Sequence, residues 1–273
     1  MDERTVVLIT GGSSGIGKAC VDHLVSKGYR VFSASRSLPD GPSDAGSSAV
    51  GLRMDVTDDE SVSAGIKRLI EKAGRLDAVV NCAGFGIGGA IEDTTIEEAK
   101  AQFETNFFGM MRVCRQALPR LRRQGSGRIV NVSSIAGRIA VPFQGIYTSS
   151  KFAVEGFTEA LRMEVRPFGI HVSLIEPGDF QTGFTDCRRR VDDRTDGAYA
   201  GRAARAMKAA ESDERGGQDP LRVARLLRRV LESRSPRLRY TVGPLSQRLS
   251  AMVKPLLPIG VVERGVMQHY DVT

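Results

Sequence analysis

A short, uninterrupted apolar run, Val6-Val7-Leu8-Ile9, passes directly into Thr10-Gly11-Gly12-Ser13-Ser14-Gly15-Ile16-Gly17, and no other stretch of the chain constrains its fold as much. Branched residues without polar alternation predict a strand buried on both faces, over Thr5 to Thr10. The glycines that follow let the backbone turn sharply and let another group approach it closely. A helix is expected next, through about Lys27, ended by Gly28. Strand, glycine turn and helix in that order put free N–H groups and the positive end of a helix dipole just beyond a strand, a setting that suits a pyrophosphate.

The alternation continues. Strands are expected at Arg30 to Ser35, Gly51 to Asp55, Leu76 to Asn81, Arg128 to Ser133, Ile170 to Ile175 and Arg239 to Val242, with a Pro/Gly/Ser loop from Pro39 to Ser48. Between them lie helical patterns. One is capped by Thr57 or Asp58 and buries Val62, Ile66, Leu69 and Ile70; a long one runs from Thr95 to Arg123 with Ile96, Ala99, Phe103 and Phe107 on one face. A third spans Gly145 to Arg166. A last one is opened by Asp219-Pro220 and carries the stripe Val223, Leu227, Val230 and Leu231. The stretch from Pro177 to Gly217 is polar and basic without a clear period. Strands alternating with helices predict one doubly wound α/β domain over 1–273, a parallel sheet of about seven strands with helices on both faces.

Composition removes several classes. The chain has 273 residues, 41% hydrophobic and 26% charged, as a soluble globular protein does, and no apolar run approaches the ~18 residues of a membrane span. Its charged start and short first apolar run do not read as a signal peptide. Cys20, Cys82, Cys114 and Cys187 are scattered, which points to a reducing cytoplasm rather than a disulfide framework. His23, His171 and His269 lack paired spacing, so no metal site is expected. The net charge of +7 lies wholly in residues 183–273, since residues 1–182 hold 21 basic and 21 acidic side chains. That is a solvated arginine-rich face or a weak peripheral membrane contact; aromatics are not interleaved with the arginines, which argues against nucleic acid. The tail from Leu249 to Val262 is apolar but broken by Lys254, Pro255 and Pro258, so it packs over a pocket, against another subunit, or lies on a bilayer surface.

In the third helical pattern Tyr147 and Lys151 stand four residues apart, on one face and one turn from each other. A cation beside a phenol favours its ionised form, and such a tyrosine can work as an acid or base. Ser134 precedes Tyr147 by 13 residues. Together with the G-x-x-x-G-x-G turn, Asn81-Cys82-Ala83-Gly84 after the fourth strand, Asn106 in the long helix, and Pro177-Gly178 with Thr182 after the sixth strand, this set resembles the short-chain dehydrogenase/reductase family over about residues 5–182. The stretches Arg138 to Phe143 and Tyr147 to Gly156 look most like its 17β-hydroxysteroid and retinol dehydrogenase branch.

The resemblance implies a Rossmann-type fold and an oxidoreductase that interconverts a secondary alcohol and a ketone, or a primary alcohol and an aldehyde. It implies catalytic roles for Asn106, Ser134, Tyr147 and Lys151. Tyr147 moves the proton, Lys151 lowers its pKa and holds the nicotinamide ribose, Ser134 positions the substrate oxygen, and Asn106 holds a water leading to Lys151. Cofactor contacts are implied for Gly11, Ser13, Ser14, Gly15, Ile16, Gly17, Ser35, Arg36, Asp55, Val56, Asn81, Ala83, Gly84, Tyr147, Lys151, Pro177, Gly178 and Thr182. Cys82 departs from the family's second Asn there. Ser35-Arg36 at the end of the second strand offers a guanidinium and no carboxylate, which selects NADP(H) over NAD(H). Besides Ser134 and Tyr147, Val141, Phe143, Phe180 and Phe184 are expected to line a pocket for a bulky, lipophilic, steroid- or retinoid-like compound. Residues 179–217 would form its lid and 244–273 a C-terminal extension. A homodimer or homotetramer is implied as well. The competing readings are a catalytically silent NADP-binding sensor or scaffold, and an epimerase/dehydratase of the same fold, which the glycine spacing argues against.

Overall fold

The structure, a computed structural model, describes residues 5–42 and 49–273. Its first half is built from β1 (Val6–Thr10), α1 (Gly15–Ser26), β2 (Arg30–Ser35), β3 (Gly41–Pro42), β4 (Ala49–Arg53), α2 (Asp59–Ala73), β5 (Ala78–Asn81) and β6 (Ile87–Gly88). Then come α3 (Ile96–Phe103), α4 (Met110–Gln124), β7 (Gly127–Val132), α5 (Gly145–Val165) and β8 (Ile170–Pro177). The last part holds α6 (Phe184–Cys187), β9 (Arg189–Arg190), α7 (Ala200–Arg215), α8 (Leu221–Glu232), β10 (Arg239–Val242), α9 (Leu245–Val253) and α10 (Ile259–His269).

The main sheet runs β10-β8-β7-β5-β1-β2-β4-β3. Seven strands are parallel, as the alternating pattern requires, and the two-residue β3 adds an antiparallel edge against Val50 and Gly51. Gly41 and Pro42 of the expected loop therefore belong to the sheet; positions 43–48 of that loop lie outside the described residues. Along β1, Val6 and Leu8 join the core beneath α2, α4 and α5, whereas Val7 and Ile9 join the core beneath α1 and α8. Burial on both faces is why this strand shows no polar alternation. The strand order reverses between β1 and β5, so a crevice opens there beyond the carboxyl ends of the strands, where α/β sheets bind ligands.

Three local expectations change. The long helix from Thr95 is not continuous: a π-helical stretch, Glu104–Gly109, separates α3 from α4. Ile96, at the first position of α3, is 64% exposed and does not share a face with the half-buried Phe103 and Phe107. The polar segment after Gly178 is ordered into α6, β9 and the sixteen-residue α7, with β9 pairing β6 as a separate two-stranded sheet. The tail folds as α9 and α10; Pro255 and Pro258 limit both, because proline cannot donate within a helix. Among the described residues, no helix is long and apolar enough to cross a membrane.

Candidate active site

A cleft of about 890 Å³ opens at the carboxyl ends of β1, β2, β5, β7 and β8. One end is the glycine turn. Gly11 and Gly15 adopt φ of +68° and +52°, conformations that strain other residues. A Cβ on Gly17 would lie 2.1 Å from the carbonyl oxygen of Gly11, and a Cβ on Gly11 would lie 2.8 Å from the Cα of Ala83. The turn is therefore closed by backbone on backbone. Ser14 precedes α1 in an extended conformation and makes no side-chain cap, so the first amides of that helix face the cleft. This cradle fits the pyrophosphate of a nicotinamide dinucleotide.

Thr10 was not among the expected site residues, yet its hydroxyl ties the two halves of the crevice together. Oγ1 accepts from the N–H groups of Cys82 (3.1 Å) and Ala83 (3.2 Å), holding the end of β5 against the end of β1. The signal was a hydroxyl at the last position of an apolar strand. Thr10→Val keeps the shape and leaves two N–H groups without a partner. It is expected to lower stability by about 1–3 kcal/mol, read by denaturant unfolding.

Arg36 lines the same cleft beyond β2, and no hydrogen bond or ion pair engages its guanidinium among the described residues. Ser35 is already used: its hydroxyl bonds Ser37 and accepts from the Leu38 N–H. Asp55 closes a turn through Oδ1, which accepts from the Thr57 amide and hydroxyl, and with Val56 it faces the cleft. Ala83, Gly84, Pro177, Gly178 and Thr182 line it too. Asn81 does not. Its side chain turns into the sheet, where Nδ2 donates to Asn131 Oδ1 (2.8 Å) and to Cys114 Sγ (3.3 Å), so it staples β5 to β7 instead of reaching a cofactor.

Ser134, Tyr147 and Lys151 converge from the end of β7 and the first turns of α5. Burial pushes the Tyr147 phenol up to about 12; a hydrogen bond with Ser134 opposes that, and the charges of Glu214 and Asp179 add to it. The Lys151 ammonium lies 5.8 Å from the Tyr147 ring centre and donates to the Val132 carbonyl (3.0 Å). Burial brings Lys151 down to about 8. Desolvation is the largest influence on the phenol, Lys151 is not among the charges that act on it, and the phenol stays protonated at neutral pH. Asn106 sits in the π-helical stretch and does not reach the cleft. Its amide clamps Phe85, accepting from the N–H and donating to the carbonyl, both at 3.0 Å, and also donates to Ser150 Oγ (3.2 Å). The side chain thereby fixes the backbone after Gly84.

The residues matched by the model of the short chain dehydrogenase family are 5–192, which spans this whole constellation. The chain belongs to that family. As a short-chain dehydrogenase it is an oxidoreductase with a nicotinamide-dinucleotide fold. It is 40% identical over 269 residues, 98% of each chain, to a 3-ketodihydrosphingosine reductase of Bacteroides thetaiotaomicron. It is 35% identical over 258 residues, 87% of this chain and 77% of the other, to 17-beta-hydroxysteroid dehydrogenase type 1 of Homo sapiens. A short-chain dehydrogenase/reductase from Burkholderia phymatum, solved with NAD, superposes with a TM-score of 0.78 at 26% identity, covering 93% of this chain and 95% of that one.

The far side of the dehydrogenase cleft is only partly as expected. Val141, Phe180 and Phe184 line it, and the Phe184 ring lies 5.6 Å from that of Tyr147. Phe143 does not. It takes a left-handed φ of 58° and points to a separate hollow of about 350 Å³ beside Tyr199, 6.4 Å between ring centres. Asp179, Glu214, Gln247, Val261 and Val266 complete the wall. No motif marked them, because they come from the end of β8, α7, α9 and α10, which meet only in the folded chain.

Proposed function

We propose that this dehydrogenase reduces the ketone of a long-chain lipid, in the manner of a 3-ketodihydrosphingosine reductase, with NADPH as hydride donor. The observation that carries the reductase reading is the convergence of Ser134, a protonated Tyr147 and Lys151 on one cleft with the glycine cradle at its other end. Ser134 would hold the carbonyl oxygen by a hydrogen bond, and the Tyr147 phenol would give that oxygen its proton. Lys151 would hold the nicotinamide ribose and keep positive charge beside the phenolate left behind. The bound cofactor supplies the hydride. Asn106 acts as a positioning residue through Phe85.

Within the expected class of bulky lipophilic substrates, the 3-ketodihydrosphingosine reductase that matches 98% of this chain favours a long-chain 3-ketone over a steroid or retinoid. The cleft is compatible with that choice: α10 contributes Val261, Val262 and Val266 to its wall, a run able to accept an alkyl chain. Residues 179–217 would close over the substrate, and 244–273 would form its outer wall. Turnover of a long-chain 3-ketone, followed by loss of reduced-nicotinamide absorbance, tests the reading; no turnover with either nicotinamide would sink it.

The NADPH preference rests on Arg36, whose guanidinium no hydrogen bond or ion pair engages among the described residues. A guanidinium and a phosphate form charge-assisted, paired hydrogen bonds, and losing them is expected to raise the KM for NADPH roughly ten- to a hundredfold in Arg36→Ser. The KM for NADH should change little. Equal effects on both coenzymes would remove Arg36 from this role.

A further inference from the structure

One carboxylate of the catalytic cleft is not used by the chemistry so far described. Asp179 follows Pro177-Gly178 at the end of β8 and lines the cavity that holds Tyr147. Its orientation is built. The Asp179 N–H donates to Gln247 Oε1 (3.1 Å), and Gln247 Nε2 donates back to Oδ2 from α9, 68 residues away. Oδ1 accepts no hydrogen bond among the described residues, and no ion pair involves this side chain. The other acids that face it have partners of their own: Glu214 pairs with Arg188 and accepts from Thr185 Oγ1, and Asp213 lies 2.7 Å from the His269 ring nitrogen Nε2. Of these three carboxylates, Asp179 alone has no basic side chain beside it among the described residues. Burial and the neighbouring Asp213 and Glu214 raise its pKa to about 6, with Gln247 and His269 opposing, so at neutral pH it is charged in a setting that penalises the charge. Its charge is felt at the Tyr147 phenol. An apolar wall from α10 continues beyond it.

A half-used carboxylate lining the same cleft as the proton donor is arranged to meet a cation on the substrate. We propose that Asp179 is the specificity-determining residue of this cleft and binds the ammonium group of a 2-amino ketone whose carbonyl rests on Ser134 and Tyr147 and whose alkyl chain follows α10. This rests on the ketone-reductase reading and narrows its substrate to amino ketones. The ion pair would form in the desolvated cleft, where a charge-assisted hydrogen bond is worth more than at the surface.

Two measurements separate this inference from the reading it rests on. The first is kcat/KM with NADPH for a long-chain 2-amino-3-ketone and for the same ketone without the amino group, in the wild type and in Asp179→Asn. The wild type should prefer the amino ketone, and in the variant that preference, read as the ratio of kcat/KM on the two ketones, should fall roughly ten- to a hundredfold. The second is binding without turnover, by calorimetry, of the long-chain 2-amino-1,3-diol and its deamino counterpart to the same two proteins. A tighter amino diol in the wild type, with that advantage lost in Asp179→Asn, supports the subsite even if neither ketone is reduced, an outcome that would sink only the reductase reading. Equal losses on amino and deamino compounds, or no wild-type preference in either measurement, would overturn the role of Asp179.

Discussion

Tyr147→Phe is expected to lower kcat for ketone reduction by about a thousandfold while leaving the affinity for NADPH within a factor of about three. The substitution removes one hydroxyl from a buried ring that packs 5.6 Å from Phe184, so packing is kept and only the proton donor is lost. The pH profile should carry the same assignment. With the phenol pushed up to about 12, Tyr147 stays a competent acid through the neutral range. Lys151, brought down to about 8 by burial, loses its charge first, so wild-type kcat/KM for reduction should be level below that value and decline above it. Lys151→Met should remove the alkaline limb and lower activity at every pH. Full activity in Tyr147→Phe, or an unchanged alkaline limb in Lys151→Met, would refute this division of labour.

The features readable in the sequence are those enforced within one segment. Steric closure demands glycine at Gly11 and Gly17, double burial demands a branched run at Val6–Thr10, and a four-residue spacing on one helix brings Tyr147 beside Lys151. Motifs of that kind survive without knowledge of what packs on them. The features that were not legible depend on direction or on distant partners. Asn81 belongs to a cofactor motif, but its side chain points into the sheet toward Asn131, 50 positions away. Phe143 sits inside the substrate loop, but a positive φ turns it out of the cleft. The spacing of Phe103 and Phe107 is compatible with an ordinary helix, so nothing announced the π-helical stretch at Asn106. The helix α7 buries only Ala206, Met207 and Ala210 in an arginine- and alanine-rich segment, too thin an apolar stripe to read as a helical face. Asp179 is oriented by Gln247, a partner that only the completed fold supplies.

Gly17→Ala is the second substitution expected to have a large effect, and it acts at the opposite end of the cleft from the chemistry. The added methyl would sit 2.1 Å from the Gly11 carbonyl oxygen and 2.8 Å from its carbon, both backbone atoms, so no side chain can rotate away. Either α1 must withdraw from the end of β1 or the turn must open. In both cases the amides at Ser14 and Gly15 leave the positions that face the cleft. Overpacking of this kind costs about 1–3 kcal/mol of stability, and a displacement near 1 Å of groups that hold a ligand costs on the order of a hundredfold in function. The expected result is an NADPH dissociation constant raised about a hundredfold, measured by nicotinamide fluorescence, together with a lower Tm. Gly156→Ala supplies the control. That glycine lies within α5, where a Cβ would meet nothing within 4 Å, so alanine there should leave coenzyme affinity unchanged and stabilise the fold by roughly 0.5–1 kcal/mol through its higher helix propensity. Coenzyme affinity unaltered in Gly17→Ala would mean that the close approach of α1 to the glycine turn is not what holds the pyrophosphate.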